Sequence, residues 1–576
     1  MQAVRFPEGQ VHRFDAAAAE GHVRKTTRRQ VMTLKWGRFE AWQVHRTATR
    51  ADPPDGPSLI HLVPKGGTYG YDLIAHVGCE TFLRGRSLTS VATELPEIPF
   101  SSLHDMQQKF LFYFGHLHRQ RAPALLPEWF QHRGGVTWLI DSTIEPGTPM
   151  YFGIYAAEHR LLLDAYRIPT ENADAIIPCL KQTAARLGMP RRVLHDLSEA
   201  MAAACEQALG NVPHTVCHFH LARDIGEDLY ATPHAGLRDR LRQLKLQLRL
   251  KEQRKGQTEW LRKHLEAPGA LADALVGLRA AMSDATAGHE VLVAYHQWLL
   301  DYPADGHRQG FPFDPYLLYF HRRVARASAS VDALLENDRV AARAPQVLKN
   351  FARMLREYVR DAKVVEASRD YEAAFALFER LRTALRMAAQ GESPLHDRYL
   401  LDPSEAAGVQ QCVEALRDEC RRRREDASDE ASRQRHRIVY EHLERYWDHL
   451  FASADGACRE RTTNGLERWW SVSKRRCRQR NGRKKLTRDF RSLPAEFLLV
   501  ANLENPAYVE TVLDGDLGRL ANKLAEAGRT AGSWTQWRLA QHPLNQGRLP
   551  QRLIRDDAFL TTLAMAYDDQ CRQPAA

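Results

Sequence analysis

The stretch VTWLIDST (residues 136–143) runs through four apolar side chains in five residues and then reaches Asp141. A short apolar run of this kind predicts a buried β-strand, and a strand that ends in a carboxylate presents a metal ligand on a rigid support. The alternative is that Asp141 is the turn residue that ends the strand. The segments PMYFGIYA (149–156) and HRLLLDAYRI (159–168) also predict strands, so Asp141 lies on the first of three.

The next segments predict helices and strands in alternation. In order they are a helix, a strand that ends in aspartate, a second helix and a fifth strand: ENADAIIPCLKQTAARLG (171–188), RRVLHD (191–196), SEAMAAACEQALG (198–210) and PHTVCHFH (213–220). Three hairpin-linked strands followed by helix, strand, helix and strand is the element order of a ribonuclease H-like α/β core. In that topology the first and fourth strands are neighbours, so Asp141 and Asp196 are expected to lie together.

Length and composition limit the classes of protein that fit. A chain of 576 residues is too long for one core, so several domains are expected. It has no run of about 18 apolar residues, and its N-terminus, MQAVRFPEGQVHRF, lacks an apolar signal core. The nine cysteines are scattered, which is typical of free thiols in a reducing compartment. We therefore expect a cytoplasmic protein with no membrane partner.

Basic residues are clustered along the chain. The net charge is +10, and residues 474–491 hold ten Lys or Arg against one acid. Residues 238–255 hold eight bases against two acids, and residues 1–50 hold ten against four. Clusters of this kind favour a polyanion partner, most simply nucleic acid, although each could also be a solvated helix face.

The same pass along the sequence predicts the remaining domains. Three helical segments near residues 71–82, 87–95 and 101–121, joined by tight turns, match a helix-turn-helix module or a plain helical bundle. The predicted domains are a basic, irregular N-terminal region (1–65), a helix-turn-helix domain (66–125), the first part of the core (130–230), a large all-α insertion (231–455), the final core helix (456–504) and a helical C-terminal tail (505–576).

A third acid is expected beside the two aspartates. Two clustered carboxylates repel each other unless a cation lies between them, and Mg²⁺ binds such oxygen ligands. Glu467 is the best candidate, because it lies in the first turn of a helix that begins near NGLERWW and leads into the basic run. Asn464 and Lys474 fall on about the same helix face. The alternative is that Glu467 is an ordinary acid at a helix N-terminus.

The order of these motifs resembles a DDE transposase, most closely the Mutator-like transposases and related bacterial insertion-sequence enzymes. The resemblance covers roughly residues 70–500. The family's C-x-x-H motif matches Cys217 and His220. Its catalytic glutamate lies in an N-x-x-E-x-x-W-like context, which matches Asn464, Glu467 and Trp470.

The resemblance implies a function in DNA transposition and recombination. Asp141, Asp196 and Glu467 would be the catalytic, metal-binding triad of a site for two Mg²⁺ ions, with Mn²⁺ as a substitute. The enzyme would cut at the terminal inverted repeats and join a DNA 3′-hydroxyl to target DNA, as a homodimer or larger synaptic complex on the bacterial nucleoid. Cys217, His220, Asn464 and Trp470 would support the site, and residues 101–119 would form the recognition helix. The side chains expected on DNA phosphates are Lys474, Arg475, Arg476, Arg478, Arg480, Arg483, Lys484 and Lys485.

Several alternatives stay open at this level. A zinc site at Cys217, His218 and His220 lacks a fourth ligand in sequence, and Asp224 is the nearest competitor to Asp196. Residues 1–78 contain no cysteine, so end recognition is expected from the helices and the basic arm rather than from a zinc element. The same sequence also fits a ribonuclease H-like nuclease, or a transposase-derived DNA-binding protein that has lost catalysis.

Overall fold

The chain forms two compact units, Met1–Thr215 with Thr463–Ala576, and Val216–Thr462. The structure, a computed structural model, describes residues 10–14, 22–46, 59–132, 135–264, 286–387, 403–451, 460–541 and 558–572. In these ranges no helix is both long enough and apolar enough to cross a bilayer.

The described part of the N-terminal region is a three-stranded sheet. It consists of β1 (Gln10–Phe14), β2 (Val23–Thr33) and β3 (Gly37–Arg46), in the order β1-β3-β2, with β3 parallel to β1 and antiparallel to β2. The prediction of an irregular region is therefore wrong here. Residues such as Val31 and Ala41 alternate with polar ones and are fully buried, and Gly37 takes the positive φ (71°) that the tight turn needs.

Three helices follow, and they pack into the hydrophobic core of the first unit. They are α1 (Tyr71–Gly78, continued by a π-helical turn at Cys79–Leu83), α2 (Leu88–Glu94) and α3 (Phe100–His132). Residues 110–115 of α3 are all buried, because the run FLFYFG is apolar around the whole helix. The same helix exposes Ser101 and His104, so the assignment of residues 101–119 as the recognition helix stays a prediction.

A five-stranded sheet forms the centre of the first unit. Its strands are β4 (Thr137–Thr143), β5 (Met150–Ala156), β6 (Leu161–Ile168), β7 (Arg192–His195) and β8 (His214–Val216), in the order β6-β5-β4-β7-β8. The helices α4 (Ala173–Leu187) and α5 (Glu199–Leu209) lie between β6 and β8 in the chain. The strand predicted to reach residue 220 stops at Val216, because His218 already begins a helix.

The second unit is helical throughout its described residues after Val216. Its bounds are wider than the predicted insertion at 231–455 and include the CHFH motif. Its helices are α6 (His218–Gln243), α7 (Leu246–His264), α8 (Ala287–Leu300), α9 (Tyr316–Glu336), α10 (Asp338–Arg343), α11 (Gln346–Val359), α12 (Ala362–Ala384), α13 (Pro403–Asp426) and α14 (Glu430–Leu450).

The chain then completes the first unit. This part holds α15 (Asn464–Asn481), α16 (Thr487–Ser492), a 3₁₀ stretch (Ala495–Glu504), α17 (Pro506–Leu513), α18 (Leu520–Thr530), α19 (Trp534–Ala540) and α20 (Phe559–Arg572). Tyr508 of α17 and Leu524 of α18 are buried in the same hydrophobic core as α1, α3 and the central sheet. The predicted separate domain at 66–125 and helices α17 and α18 of the predicted tail (505–576) thus pack into one core, and the predicted division does not hold for them.

Candidate active site

Asp141 lies on β4, the middle strand of the central sheet. Its carboxylate accepts a hydrogen bond from the Trp470 indole, with 2.9 Å between Nε1 and Oδ2. On β5, Gly153 is the register partner of Asp141, and a Cβ atom at Gly153 would lie 2.6 Å from Trp470 Cη2. A glycine at this position leaves room for the indole ring, so the indole can reach the carboxylate.

Asp196 follows β7, the parallel neighbour of β4. The last register pair between the two strands is Leu139 with Leu194, two residues before each aspartate. Because β4 and β7 are parallel, Asp141 and Asp196 lie at the same end of the sheet. The backbone N–H of Ser198 donates to Asp196 Oδ1 at 2.9 Å and fixes that carboxylate.

Glu467 lies in the first turn of α15. Gly465, two residues before Glu467, lies close to β4, since a Cβ atom there would be 3.4 Å from Leu139 Cδ1. Trp470, three residues after Glu467, contacts Asp141. Because residues three apart share a helix face, Glu467 lies on the face that packs on β4. The buried Thr463 donates through Oγ1 to Glu467 Oε1 at 3.5 Å. The fold therefore brings all three predicted acids to one end of the sheet.

The predicted supporting residues fall in both units. Asn464 is the first residue of α15, and Trp470 is the partner of Asp141. Cys217 and His220 belong to the second unit, where Cys217 is fully buried at the N-cap of α6 and His220 is buried in its first turn. Asp224 lies within α6 and not at the end of a strand.

Five of the eight basic residues expected on DNA are exposed. They are Arg475, Arg478, Arg483, Lys484 and Lys485. Lys474 is half-buried, donates to the Ile144 carbonyl at 3.2 Å and lies 3.5 Å from Glu145. Its ammonium group is therefore held on the loop that follows β4.

Two of the five arginines in this set form ion pairs within the protein. Arg480 is 8% exposed, pairs with Asp489 at 3.1 Å and lies over the Phe82 ring at 4.8 Å. The prediction that Arg480 contacts phosphate is wrong, because this buried pair ties α15 to α16. Arg476 forms an ion pair with Glu504 and has 14% of its side chain exposed.

Glu171 is an acid at the site that the sequence analysis did not identify as a ligand. It follows the end of β6, and β6 runs in the same direction as β4 because both are antiparallel to β5. Burial and then the negative charge of Asp196 raise the pKa of Glu171, while the hydroxyls of Ser142 and Ser198 act in the opposite direction. The available signal was an acid three residues after the predicted strand 159–168, at the first position of the predicted helix 171–188.

The donor set at this end of the sheet fits a hard divalent cation. Carboxylate oxygens are the ligands that Mg²⁺ and Mn²⁺ prefer, and neighbouring carboxylates of like charge are stabilised by a cation between them. Asp141, Asp196 and Glu467 would hold such an ion. Glu171 places a fourth carboxylate beside Asp196.

Replacing Glu171 by glutamine is expected to stabilise the fold at neutral pH. A carboxyl whose pKa is raised in the folded state favours folding while it is protonated and loses that contribution as the pH rises through the raised pKa. The gain of Glu171→Gln over the wild type should therefore be small at pH 4 and should grow toward pH 7. Thermal unfolding in a chelating buffer measures it. Glu366→Gln, at an exposed position, is the control and should show no such trend.

Comparison with known proteins adds no relative. No protein-family model matches the chain, and no curated protein matches it.

Proposed function

We propose that the chain is a DDE-type DNA transposase with a ribonuclease H-like catalytic core, similar to the Mutator-like enzymes of bacterial insertion sequences. The observation that carries the proposal is the hydrogen bond from Trp470 to Asp141, which joins residues 329 positions apart. It ties the helix of the N-x-x-E-x-x-W motif to the first catalytic strand. Two motifs identified separately in the sequence thus meet at one site.

Each of the three acids has a partner that orients it for phosphoryl transfer. The Trp470 indole orients Asp141, the Ser198 backbone orients Asp196, and the Thr463 hydroxyl orients Glu467. Asp141, Asp196 and Glu467 would hold two divalent ions, which would supply activation of the attacking oxygen and stabilisation of the leaving oxygen. In cleavage, a water oxygen attacks the phosphorus, the bond to the 3′ oxygen breaks, and a free 3′-hydroxyl results. In joining, that 3′-hydroxyl attacks a target phosphate and displaces another 3′ oxygen.

The partner of this site would be double-stranded DNA. The exposed basic residues Arg475 and Arg478 lie on α15, the helix that carries Glu467, so DNA phosphates could be bound beside the acids. Cutting the two ends of a transposable element together requires at least a homodimer. The proposal also implies a cytoplasmic location at the nucleoid.

DNA cleavage and joining by the purified full-length chain test the proposal. Duplexes that carry the DNA flanking the encoding locus are incubated with Mg²⁺, with Mn²⁺ or with a chelator, and products are resolved on denaturing gels. We expect cleaved and joined strands with either metal and none with the chelator. Cleavage without joining would support a nuclease instead. Binding without either reaction would support a DNA-binding protein that has lost catalysis.

A further inference from the structure

In the part of the chain that the structure describes, one face of the N-terminal sheet is exposed at Arg13, Arg28 and Arg38, while Met32 at its end is buried in the main core. The other face of the sheet carries Val31, Phe39 and Ala41, which are buried against Leu59 and Val63. Side chains alternate along a strand, so the neighbours of these residues point the opposite way. Arg28 and Trp42 are register partners on β2 and β3, and Arg13 on β1 is the partner of Trp42. We call this row, with Arg38, the arginine face.

Strands β2 and β3 carry many more basic than acidic residues. β2 holds four basic residues and β3 holds two, whereas the only acidic residue on these two strands is Glu40. Six bases and one acid give these two strands a charge of +5. The bases are Arg24, Lys25, Arg28, Arg29, Arg38 and Arg46. By strand alternation, Arg28, Arg38 and Arg46 share the arginine face with Glu40. Lys25 and Arg29 lie on the opposite face, where Arg29 donates to the Gly67 carbonyl at 2.8 Å. The excess of basic residues attracts a polyanion, and DNA phosphates are the simplest match in charge.

Arg28 is held in an orientation that suits base reading. Its guanidinium carbon lies 3.9 Å from the centroid of the Trp42 ring, so the planar group stacks on the indole while the residue stays exposed. A flat, preoriented guanidinium can donate two hydrogen bonds to guanine O6 and N7 or to one phosphate. Gln30, two residues along the same face, is also exposed and has an amide that can pair with adenine.

The sheet also has the size and the anchoring that a DNA-reading element needs. Three strands span about 10 Å across, and the major groove of B-DNA is about 12 Å wide. The end of the sheet near the β2–β3 turn is fixed to the core, since the Met32 N–H donates to the Thr68 carbonyl at 2.8 Å and the Lys35 N–H donates to Asp72 at 3.0 Å. From Val23 to Thr26 the residues of β2 are exposed.

We propose that the arginine face of the N-terminal sheet binds double-stranded DNA in the major groove and reads the ends of the element. This inference rests on the proposed transposase function and names the surface that recognises its DNA. It assigns end recognition to this sheet rather than to helix α3.

The test measures DNA affinity of the full-length protein with Arg28→Ala, Arg28→Lys and the matched control Arg339→Ala, an exposed arginine on α10. The probes are a duplex from the flanking DNA of the encoding locus and a duplex of mixed sequence, each of about three helical turns. Arg28→Ala should weaken binding to the flanking duplex about tenfold and lower the salt dependence by about one phosphate contact. Arg28→Lys should keep binding to the mixed duplex but lose preference for the flanking one.

Several results would overturn the inference. One is an Arg28→Ala variant that binds both duplexes as tightly as Arg339→Ala does. Another is an Arg28→Lys variant that keeps the wild-type preference for the flanking duplex. Circular dichroism and thermal unfolding of each variant show whether the sheet is intact, and Arg38→Ala repeats the test if Arg28→Ala does not fold. Cleavage assays distinguish failure of the two proposals. If Arg28→Ala binds and cleaves DNA as the wild type does, only the role of the arginine face is excluded. If the wild type binds DNA but does not cleave it, only the transposase reaction is excluded.

Discussion

Asp141→Asn should lower DNA cleavage by about a thousandfold, which corresponds to about 4 kcal/mol of transition-state stabilisation. Asparagine has nearly the shape of aspartate, and its side-chain oxygen can still accept the hydrogen bond that Trp470 donates to Asp141. The variant therefore keeps the packing of α15 on β4 but loses the negative charge that a divalent cation needs. Single-turnover cleavage of the flanking duplex, at saturating Mg²⁺, measures the loss.

The control for this prediction is Asp418→Asn, the same chemical change at an exposed position on α13. It should cleave at the wild-type rate. Both variants should bind the duplex as the wild type does, because DNA affinity comes mainly from basic side chains. Cleavage by Asp141→Asn within tenfold of the wild type would remove Asp141 from the catalytic triad, and a large loss of DNA affinity would indicate a change in the fold instead.

The positions of the acids in the site could be predicted because each one lies within a few residues of the end of a regular element. The apolar run before Asp141 and the run before Asp196 identify two buried strands, and NGLERWW identifies the start of a helix. What the sequence lacks is the register that sets Leu139 beside Leu194, and the contact between Gly153 and Trp470. Both are tertiary facts that local patterns do not encode.

The predictions for the N-terminal sheet and for Arg480 were wrong for a common reason. The sequence around a basic residue does not show whether its side chain faces solvent or a partner within the protein. On β2, the basic residues hide the alternation of buried and exposed side chains, which becomes visible only near Val31 and Thr33 at the end of the strand. In the basic run, Arg480 has the same sequence character as Arg478, yet Arg480 is buried against Asp489 and Phe82. Only packing separates a charge that stabilises the fold from one that meets solvent or DNA.

Helix α3 shows the limit of a helix count as a guide to function. Three helices joined by short turns occur at the expected places, and Ser87 caps α2 through a hydrogen bond from the Ser90 N–H at 3.1 Å. The difference lies in the burial of α3. His118 on this helix hydrogen-bonds to Tyr508 and to the Leu163 carbonyl, each at 2.8 Å, and burial lowers its pKa to about 4. Such surroundings are typical of a core helix.

Phe114→Ala on α3 should therefore destabilise the first unit by about 3–5 kcal/mol, the usual cost of removing a buried phenyl ring. Phe114 is fully buried and stacks on Phe110 with 5.6 Å between ring centroids. Urea unfolding followed by tryptophan fluorescence measures the change. His104→Ala, at an exposed position of the same helix, is the control and should change stability by less than about 0.5 kcal/mol.

The pair of variants decides between the two roles of α3. If the helix is part of the core, Phe114→Ala lowers stability and His104→Ala leaves both stability and DNA affinity unchanged. If α3 instead reads DNA, the exposed face that carries His104 has to contact the duplex, and His104→Ala would weaken binding without unfolding the protein. A cost below about 1 kcal/mol for Phe114→Ala, together with weaker DNA binding by His104→Ala, would restore the helix-turn-helix assignment and remove the need for the arginine face in end recognition.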